Sequence, residues 1–287
     1  MRHLLLAMTL AACGTEYTEH PAAGPDAGGG SAGYARLVDT TWTLPAATER
    51  YLCVRQTVTA DTWIRTLLPV SPIGTHHSVL MNGAADKPDG VEDCDSSLVK
   101  PAIYASGLGA QQLDMPDGVA VHLKKGDQLL LNLHLFNTSD TDLTGTSGIE
   151  FAAIDPAAVV HEAGVVLAGK AAGLVVPPNT TTQTGTCTTP AGATIFALAP
   201  HMHLLGTHMK VSYQGRVVMD QDYAFDEQRF QTMTPAITTV AGGKYVVECT
   251  YTNHTGATVA FGEHTTQEMC FALTFVYPPP AADECTH

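Results

Sequence analysis

The stretch LLLNLHLFN at residues 129–137 sets the expectation for the fold. Leucine recurs at every second position, and Asn132 and His134 stand between leucines. Because successive side chains of a β-strand point to opposite faces, the leucines would form one face directed to the core, and Asn132 and His134 would share the other. Shorter alternating runs occupy residues 51–58, 119–123 and 244–252 and predict further strands.

Turn-forming residues separate these runs at short intervals. They are Asn82-Gly83, Pro88-Asp89-Gly90, Pro116-Asp117-Gly118, Lys125-Gly126-Asp127 and Gln214-Gly215. Regularly spaced short strands with such turns predict an all-β fold built from sandwiches or barrels. The pattern loosens and Ala and Gly accumulate at residues 155–173, so we expect an N-terminal β-sandwich at 36–158, a C-terminal β-sandwich at 159–280 and a tail at 281–287.

Composition narrows the function. The 287 residues include 14 Lys and Arg and 28 Asp and Glu, giving a net charge of −14, and 45% are hydrophobic. A surface this acidic repels phosphate backbones, so nucleic-acid binding is not expected. No apolar run reaches the ~18 residues of a membrane-spanning helix. The thirteen histidines stand out because only 15% of the residues are charged.

The N-terminus has the pattern of an export signal. Residues 1–12 combine a short basic start with an apolar stretch, which predicts a signal peptide. Leu10-Ala11-Ala12-Cys13 resembles a bacterial lipobox, so Cys13 is the expected lipidation site. A Gly/Ala/Pro-rich tether follows to residue 35. We therefore expect an exported protein that a lipid anchor alone attaches to a bacterial membrane. The outer membrane is the expected one. A simple signal peptide cleaved nearby is the alternative.

Six further cysteines fit an oxidising compartment. An even number of cysteines in an exported chain predicts three disulfides. Two of them occur early and four late, which favours pairing of Cys53 with Cys94. Several connectivities remain possible for the others. No C-x-x-C motif is present, which weakens zinc-ribbon and thioredoxin-type interpretations.

Histidines occur in three separate places. His76 and His77 are neighbours and would point apart on a regular strand, but Pro72 and Gly74 could introduce the bend needed for both rings to reach one metal. A surface or structural pair is the alternative. His134 lies opposite the leucine face, where it would face solvent, a cleft or another domain.

His201-Met202-His203 is the sharpest of these motifs. With a period of two, the two histidines share one face with Cβ atoms about 7 Å apart, a separation that suits two imidazole nitrogens at ~2 Å from one ion. Met269 precedes Cys270, and a disulfide there, for example to Cys249, would fix the backbone. A lone methionine is more often core filler, but a thioether is a soft ligand that favours Cu(I).

The order of these elements resembles a known family. Over about residues 44–278 the sequence resembles the copper type II, ascorbate-dependent monooxygenases. The motifs that carry the resemblance are, in order, Tyr51-Leu52-Cys53, His76-His77, Leu133-His134, His201-Met202-His203, Glu268-Met269-Cys270 and Tyr277-Pro278. Peptidylglycine α-hydroxylating monooxygenase and dopamine β-monooxygenase belong to that family. The resemblance implies two jelly-roll-like β-sandwiches with one copper on each, facing across an open, water-filled cleft.

The resemblance also implies roles for single residues. His76, His77 and His134 would hold an electron-donating copper, and His201, His203 and Met269 would hold the copper that binds O2 and forms the catalytic site. The implied disulfides are Cys53–Cys94, Cys187–Cys285 and Cys249–Cys270. The expected activity is hydroxylation of a C–H bond of a small organic substrate with O2, using two copper ions and ascorbate or a similar one-electron donor.

Two departures bear on the substrate. The peptide-hydroxylating branch has an arginine two residues before the H-x-H motif and a tyrosine four residues after the methionine, and here these positions hold Ala199 and Leu273. A peptidylglycine substrate is therefore not expected.

Other functions would use some of the same residues. The main alternative is a non-catalytic, exported copper-binding lipoprotein for storage, sensing or delivery. A zinc hydrolase with three histidines would leave Met269 unexplained, and a blue-copper carrier would need a free ligand cysteine. The sequence gives no indication of oligomeric state.

Overall fold

The computed structural model of the protein describes residues 33–95, 100–107, 112–225, 228–262, 264–279 and 284–285. The predicted signal peptide, the expected lipidation site Cys13 and nearly all of the tether lie outside the described residues, as does most of the tail. The described residues contain no helix that could span a membrane.

The described chain is built from strands. The first ten are β1 (Ala35–Leu44), β2 (Glu49–Thr57), β3 (Thr62–Val70), β4 (Thr75–Gly83), β5 (Gly90–Asp93), β6 (Ala102–Gly107), β7 (Leu113–Asp114), β8 (Val119–Leu123), β9 (Gln128–Phe136) and β10 (Leu143–Ala153). A single 3-10 turn at Pro156–Ala158 is the only helical segment within the described ranges. The expected all-β class is confirmed there.

The remaining strands follow that turn. They are β11 (His161–Glu162), β12 (Gly164–Gly169), β13 (Val175–Val176), β14 (Asn179–Thr189), β15 (Thr194–His201), β16 (Gly206–Tyr213), β17 (Arg216–Asp222), β18 (Gln231–Thr238), β19 (Gly243–Asn253), β20 (Val259–Ala260), β21 (Phe271–Tyr277) and β22 (Glu284–Cys285).

Two sheets form from the first half of the chain. One has the order β1-β10-β3-β8-β11, with β7 also paired to β3, and the other has the order β5-β2-β9-β4-β6. The short strand β11 pairs in parallel with β8 although it follows residue 158. The second sheet places β9 between β2 and β4, so His134 is flanked by strands on both sides.

Two larger sheets and one small sheet form from the second half. Their orders are β18-β15-β21-β12-β22, β14-β19-β16-β17 and β13-β20. The pairing of β15 with β21 sets His201 opposite Phe271. This register brings the histidine motif at the end of β15 close to the segment before β21, which carries Met269.

The leucine face of β9 lies in the core as expected. Leu129, Leu131, Leu133 and Leu135 are at most 1% exposed and belong to the largest hydrophobic cluster. Burial of each such side chain contributes about 1.5–3 kcal/mol to stability. The opposite face is also covered, because Asn132 and His134 are 2% and 0% exposed. His134 is therefore held inside the protein, away from solvent.

Candidate functional site

Three histidines from the second sheet converge on one point. The Nδ1 atoms of His76, His77 and His134 lie 3.0 to 3.3 Å from one another. The backbone makes this possible through a β-bulge in β4 between Thr75 and His77, which lets two consecutive histidines face the same strand neighbour. The bend that Gly74 was expected to allow is present, since Gly74 adopts a φ of 99°.

This histidine triad fits a metal ion. Burial lowers the pKa of His76 to about 2 and lowers the pKa of His77 well below its usual value, so both rings are neutral at pH 7. Neutral imidazoles present lone pairs, and lone pairs this close repel one another unless a cation lies between them. The separations match nitrogen ligands at about 2.0–2.1 Å from one shared ion. The three side chains are buried and offer ligand atoms within 4.8 Å of one another.

Two neighbours orient His134 within the triad. Its Nε2 lies 2.6 Å from Oε1 of Glu49, so Nε2 donates its proton outward and Nδ1 keeps its lone pair for the triad centre. The hydrogen bond from His134 holds the pKa of Glu49 below its usual range. Tyr51 stacks flat on the His134 ring at a centroid distance of 4.3 Å. The ring can therefore neither tilt nor flip without breaking a contact.

His201 and His203 approach each other at the end of β15. Their ring centroids are 5.5 Å apart and the rings are almost perpendicular. The expected strand does not continue through both residues, because β15 ends at His201 and the chain turns, with the Gly206 N–H donating to the His203 carbonyl. His203 is placed by this turn and by a side chain from another segment, rather than by strand periodicity.

That side chain is Glu268. Its carboxylate accepts hydrogen bonds from the backbone N–H groups of His203 at 3.0 Å and Leu205 at 2.7 Å. Glu268 is completely buried, and burial raises its pKa to about 7. The backbone of Glu268 bonds in turn to Ala260. The carboxylate thus satisfies two N–H groups that no strand partner reaches.

His201 and His203 form their outward hydrogen bonds through Nδ1, whereas His134 forms its outward hydrogen bond through Nε2. Nδ1 of His201 lies 2.9 Å from Oε1 of Gln228, and Nδ1 of His203 lies 3.1 Å from the carbonyl oxygen of Gln267. Each ring donates its Nδ1 proton to an oxygen, which leaves Nε2 with the lone pair. Burial lowers the pKa of His201 and lowers that of His203 to about 3, so both rings are neutral.

Met269 completes the second group of expected ligands. It is 8% exposed, and its carbonyl oxygen accepts a hydrogen bond from the buried Tyr251 hydroxyl at 2.6 Å. The next residue, Cys270, forms a disulfide with Cys249. Met269 is thus held on both sides by covalent and hydrogen-bonded contacts.

The two groups of ligands share one cavity. His77, His201, His203 and Met269 all line a cavity of about 390 Å³. The ring centroids of His77 and His201 are 5.6 Å apart. The resemblance implies two copper sites separated by an open, water-filled cleft. In the structure, a ring of the first group, His77, instead contacts a ring of the second group, His201.

The structure forms the three disulfides that the resemblance implies. They are Cys53–Cys94, Cys187–Cys285 and Cys249–Cys270. Cys53 and Cys94 join β2 to the residue following β5. Cys187 joins β14 to β22, next to the last residues of the chain.

Sequence reasoning missed three residues that hold the ligands in place. Glu49, Gln228 and Glu268 contact His134, His201 and the backbone of His203, respectively. Glu49 lies two residues before the Tyr51-Leu52-Cys53 motif, and Glu268 is part of the Glu268-Met269-Cys270 motif, although the sequence predicted no role for either carboxylate. Gln228 lies far from any motif, and nothing in its sequence neighbourhood marks it.

Comparisons with known proteins point to one family. Residues 161–287 match the protein-family domain described as "Copper type II ascorbate-dependent monooxygenase, C-terminal domain". The human DBH-like monooxygenase protein 1 is 27% identical over 218 residues, covering 67% of this chain and 34% of the human protein. The chicken (Gallus gallus) protein of the same name is 24% identical over 240 residues, covering 71% of this chain and 39% of its own length. The chain thus spans little more than a third of the relatives it matches.

Proposed function

We propose that the chain is a copper-dependent monooxygenase of the copper type II ascorbate-dependent family, whose C-terminal domain matches residues 161–287. It hydroxylates a C–H bond of a small organic molecule with O2, using ascorbate or a similar one-electron donor. The observation that carries the proposal is the convergence of three imidazole Nδ1 atoms within 3.3 Å, beside a second group of two histidines and a methionine on the same cavity.

The ligands divide into two sets in this proposal. His76, His77 and His134 hold one copper, and His201, His203 and Met269 hold the other. Bound copper would supply two electrons, one from each site, and these electrons with O2 and two protons would convert the C–H group into an alcohol and one water molecule. The soft thioether of Met269 favours the reduced state at the second site.

The protein's own groups prepare the ligands. Glu49 and Tyr51 fix the direction of the His134 lone pair, and Gln228 and the Gln267 carbonyl do the same for His201 and His203. Glu268 holds the turn that carries His203 next to Met269. Preorganised ligands of this kind lose little conformational entropy when an ion binds, which raises affinity.

We further propose that the four larger sheets form two jelly-roll-like β-sandwiches, at residues 36–158 and 159–280, each contributing one copper site. The separate hydrophobic cluster between the sheets of the second half, which contains Met209, Val247 and Tyr251, supports a second core. Limited proteolysis tests this division, because cleavage would concentrate near residue 158.

Metal content and electron paramagnetic resonance (EPR) test the function. The expected result is two Cu(II) per chain, both reduced by ascorbate, with O2 uptake that depends on ascorbate and substrate. His76→Ala and His203→Ala should each remove one copper and abolish uptake. A non-catalytic copper carrier would bind both ions yet show only background O2 uptake, and zinc content without copper would contradict the proposal.

We also propose export and lipid anchoring through Cys13. Three disulfides in one chain support folding in an oxidising compartment. Mass spectrometry of the mature N-terminus tests the anchor, since a lipidated Cys13 adds the mass of the acyl chains. A Cys13→Ala variant recovered unchanged in the membrane fraction would contradict it.

A further inference from the structure

Most of the cavity wall beside the two ligand groups is apolar. Leu167, Ala199, Phe230, Phe271 and Leu273 all line it together with the histidines and Met269. Three phenylalanines contribute, since Phe261 also lies on the wall. A volume of about 390 Å³ falls at the lower end of the range of about 300–1,000 Å³ typical of small-molecule sites, so the cavity fits one ring and a short chain better than a peptide.

The polar side chains on the wall are uncharged, and most are already engaged. Ser78 and Ser106 hydrogen-bond to each other at 2.8 Å. Gln228 uses its oxygen on His201 and its amide on the Phe225 carbonyl. Asn132 donates its amide to the Asp95 carbonyl, and its Oδ1 has no hydrogen-bond partner among the described residues. That oxygen is an acceptor, which suits a hydroxyl or amide N–H and repels an anion.

No Lys, Arg, Asp or Glu is among the described residues that line the cavity. A carboxylate buried in this cavity would therefore find no cationic side chain among the described wall residues to offset its desolvation. An ammonium group would likewise meet no carboxylate on the described wall.

We propose that the substrate of this cavity is a neutral, hydrophobic small molecule with an aromatic or compact aliphatic body and at most one hydrogen-bond donor such as a hydroxyl. This inference rests on the proposed monooxygenase function and adds the substrate class. Ala199 and Leu273 are the specificity-determining positions, because each occupies the cavity wall next to His201, on β15 and on the paired strand β21.

Three probes of equal length test the class: 3-phenylpropan-1-ol, 3-phenylpropanoate and 3-phenylpropylamine. Their binding to the copper-loaded full chain is measured by isothermal titration calorimetry under argon, where no turnover occurs. The coppers are kept as Cu(I) with ascorbate, a soft ion with little preference for carboxylate oxygen. The neutral alcohol is then expected to bind at least about tenfold more tightly than either charged probe, because no side chain of the described wall offsets either charge and the copper cations repel the ammonium. Equal or tighter binding of the carboxylate or the amine, or no saturable binding of any probe, would overturn the proposal.

A charge placed on the wall gives an independent readout. Leu273→Lys should reverse the preference towards 3-phenylpropanoate by a similar factor, while Leu273→Met should keep the preference for the alcohol. If Leu273→Lys fails to fold by circular dichroism, the series on the unaltered chain decides alone. Ascorbate-dependent O2 uptake is recorded separately, so tight binding of the alcohol without uptake would refute the monooxygenase and leave the ligand preference standing.

Discussion

The carboxylate of Glu268 lies 3.0 Å from the backbone nitrogen of His203, so one buried side chain ties the segment carrying Met269 to the turn carrying His203. The same carboxylate reaches the Leu205 N–H at 2.7 Å. Two ligands from segments more than sixty residues apart thus share a hydrogen-bonded support. The geometry of the second group depends on this support as much as on the strands.

Replacing Glu268 should therefore damage the fold and the second site together. Glu268→Leu leaves two buried N–H groups without acceptors, and each unsatisfied group costs about 1–3 kcal/mol. Urea unfolding should show this loss. Copper analysis should show one ion per chain in place of two, with the EPR signal of the histidine triad retained.

Glu248→Leu serves as the control for Glu268. Glu248 forms a partly exposed ion pair with Lys210 at 2.7 Å, and neither residue lines the cavity that the ligand groups share. Exposed pairs of this kind contribute up to about 1 kcal/mol. Equal effects of the two substitutions on copper content would show that Glu268 has no special role in positioning His203.

Glu49 should control the copper affinity of the histidine triad. Glu49→Gln keeps the shape of the side chain but removes the negative charge that accepts the His134 Nε2 proton. Loss of such an outer partner lowers metal affinity by about 10–100-fold. Titration against a coloured copper chelator measures this, with Asp93→Asn, which alters the exposed pair with Arg50, as the control. Unchanged affinity in Glu49→Gln would contradict the positioning role.

The copper-free chain should lose stability in acid because of its buried histidines. Burial lowers the pKa of His76 to about 2 and that of His203 to about 3, whereas unfolding returns both to the ordinary value of about 6.5. At a pH between the folded and the unfolded pKa of these histidines, the unfolded chain binds more protons than the folded chain. The free energy of unfolding should therefore fall as the pH drops below about 6.5, by about 1.4 kcal/mol per pH unit for each such histidine.

Urea midpoints measured from pH 7 to pH 4 check this slope. His203→Gln removes one of the titrating groups and should make the dependence shallower in the copper-free chain. Bound copper requires neutral imidazoles, so the loaded chain should release its metal over the same range. A pH-independent midpoint in the copper-free chain would contradict the expected burial of these rings.

Local sequence patterns were sufficient for the strands but not for the contacts between them. The alternation at residues 129–137 correctly predicted a core-facing leucine row, and the position of Gly74 correctly indicated a bend before His76. Both properties depend only on neighbouring residues. The convergence of His76 with His134 depends on the register of β4 against β9, across 58 residues of sequence, which no local pattern specifies.

The sequence predicted the ligands of the candidate site but not the side chains that orient these ligands. The resemblance supplied the ligand sets, and the disulfides that it implied are present. The strand periodicity assumed for His201 and His203 fails at His203, since β15 ends two residues earlier, at His201, and the backbone N–H of His203 donates to Glu268 instead of to a strand partner. A single glutamate carries no signature of such a role, because it acts through a contact that exists only in the folded chain.

A substitution at Met269 should change copper chemistry while leaving the fold intact. Met269→Ile replaces a thioether with an aliphatic side chain of similar volume, a change that costs less than about 1.5 kcal/mol in a packed interior. The disulfide at Cys270 and the Tyr251 hydrogen bond to the Met269 carbonyl are unaffected by the side chain. We expect a melting temperature close to that of the unaltered chain and no ascorbate-dependent O2 uptake above background. Met233→Ile serves as the control, because Met233 is half-buried beside the second hydrophobic cluster and outside the described cavity wall. This variant should keep both the melting temperature and the ascorbate-dependent O2 uptake of the unaltered chain. Normal uptake by Met269→Ile would mean that the thioether is not a ligand and that His201 and His203 act without it.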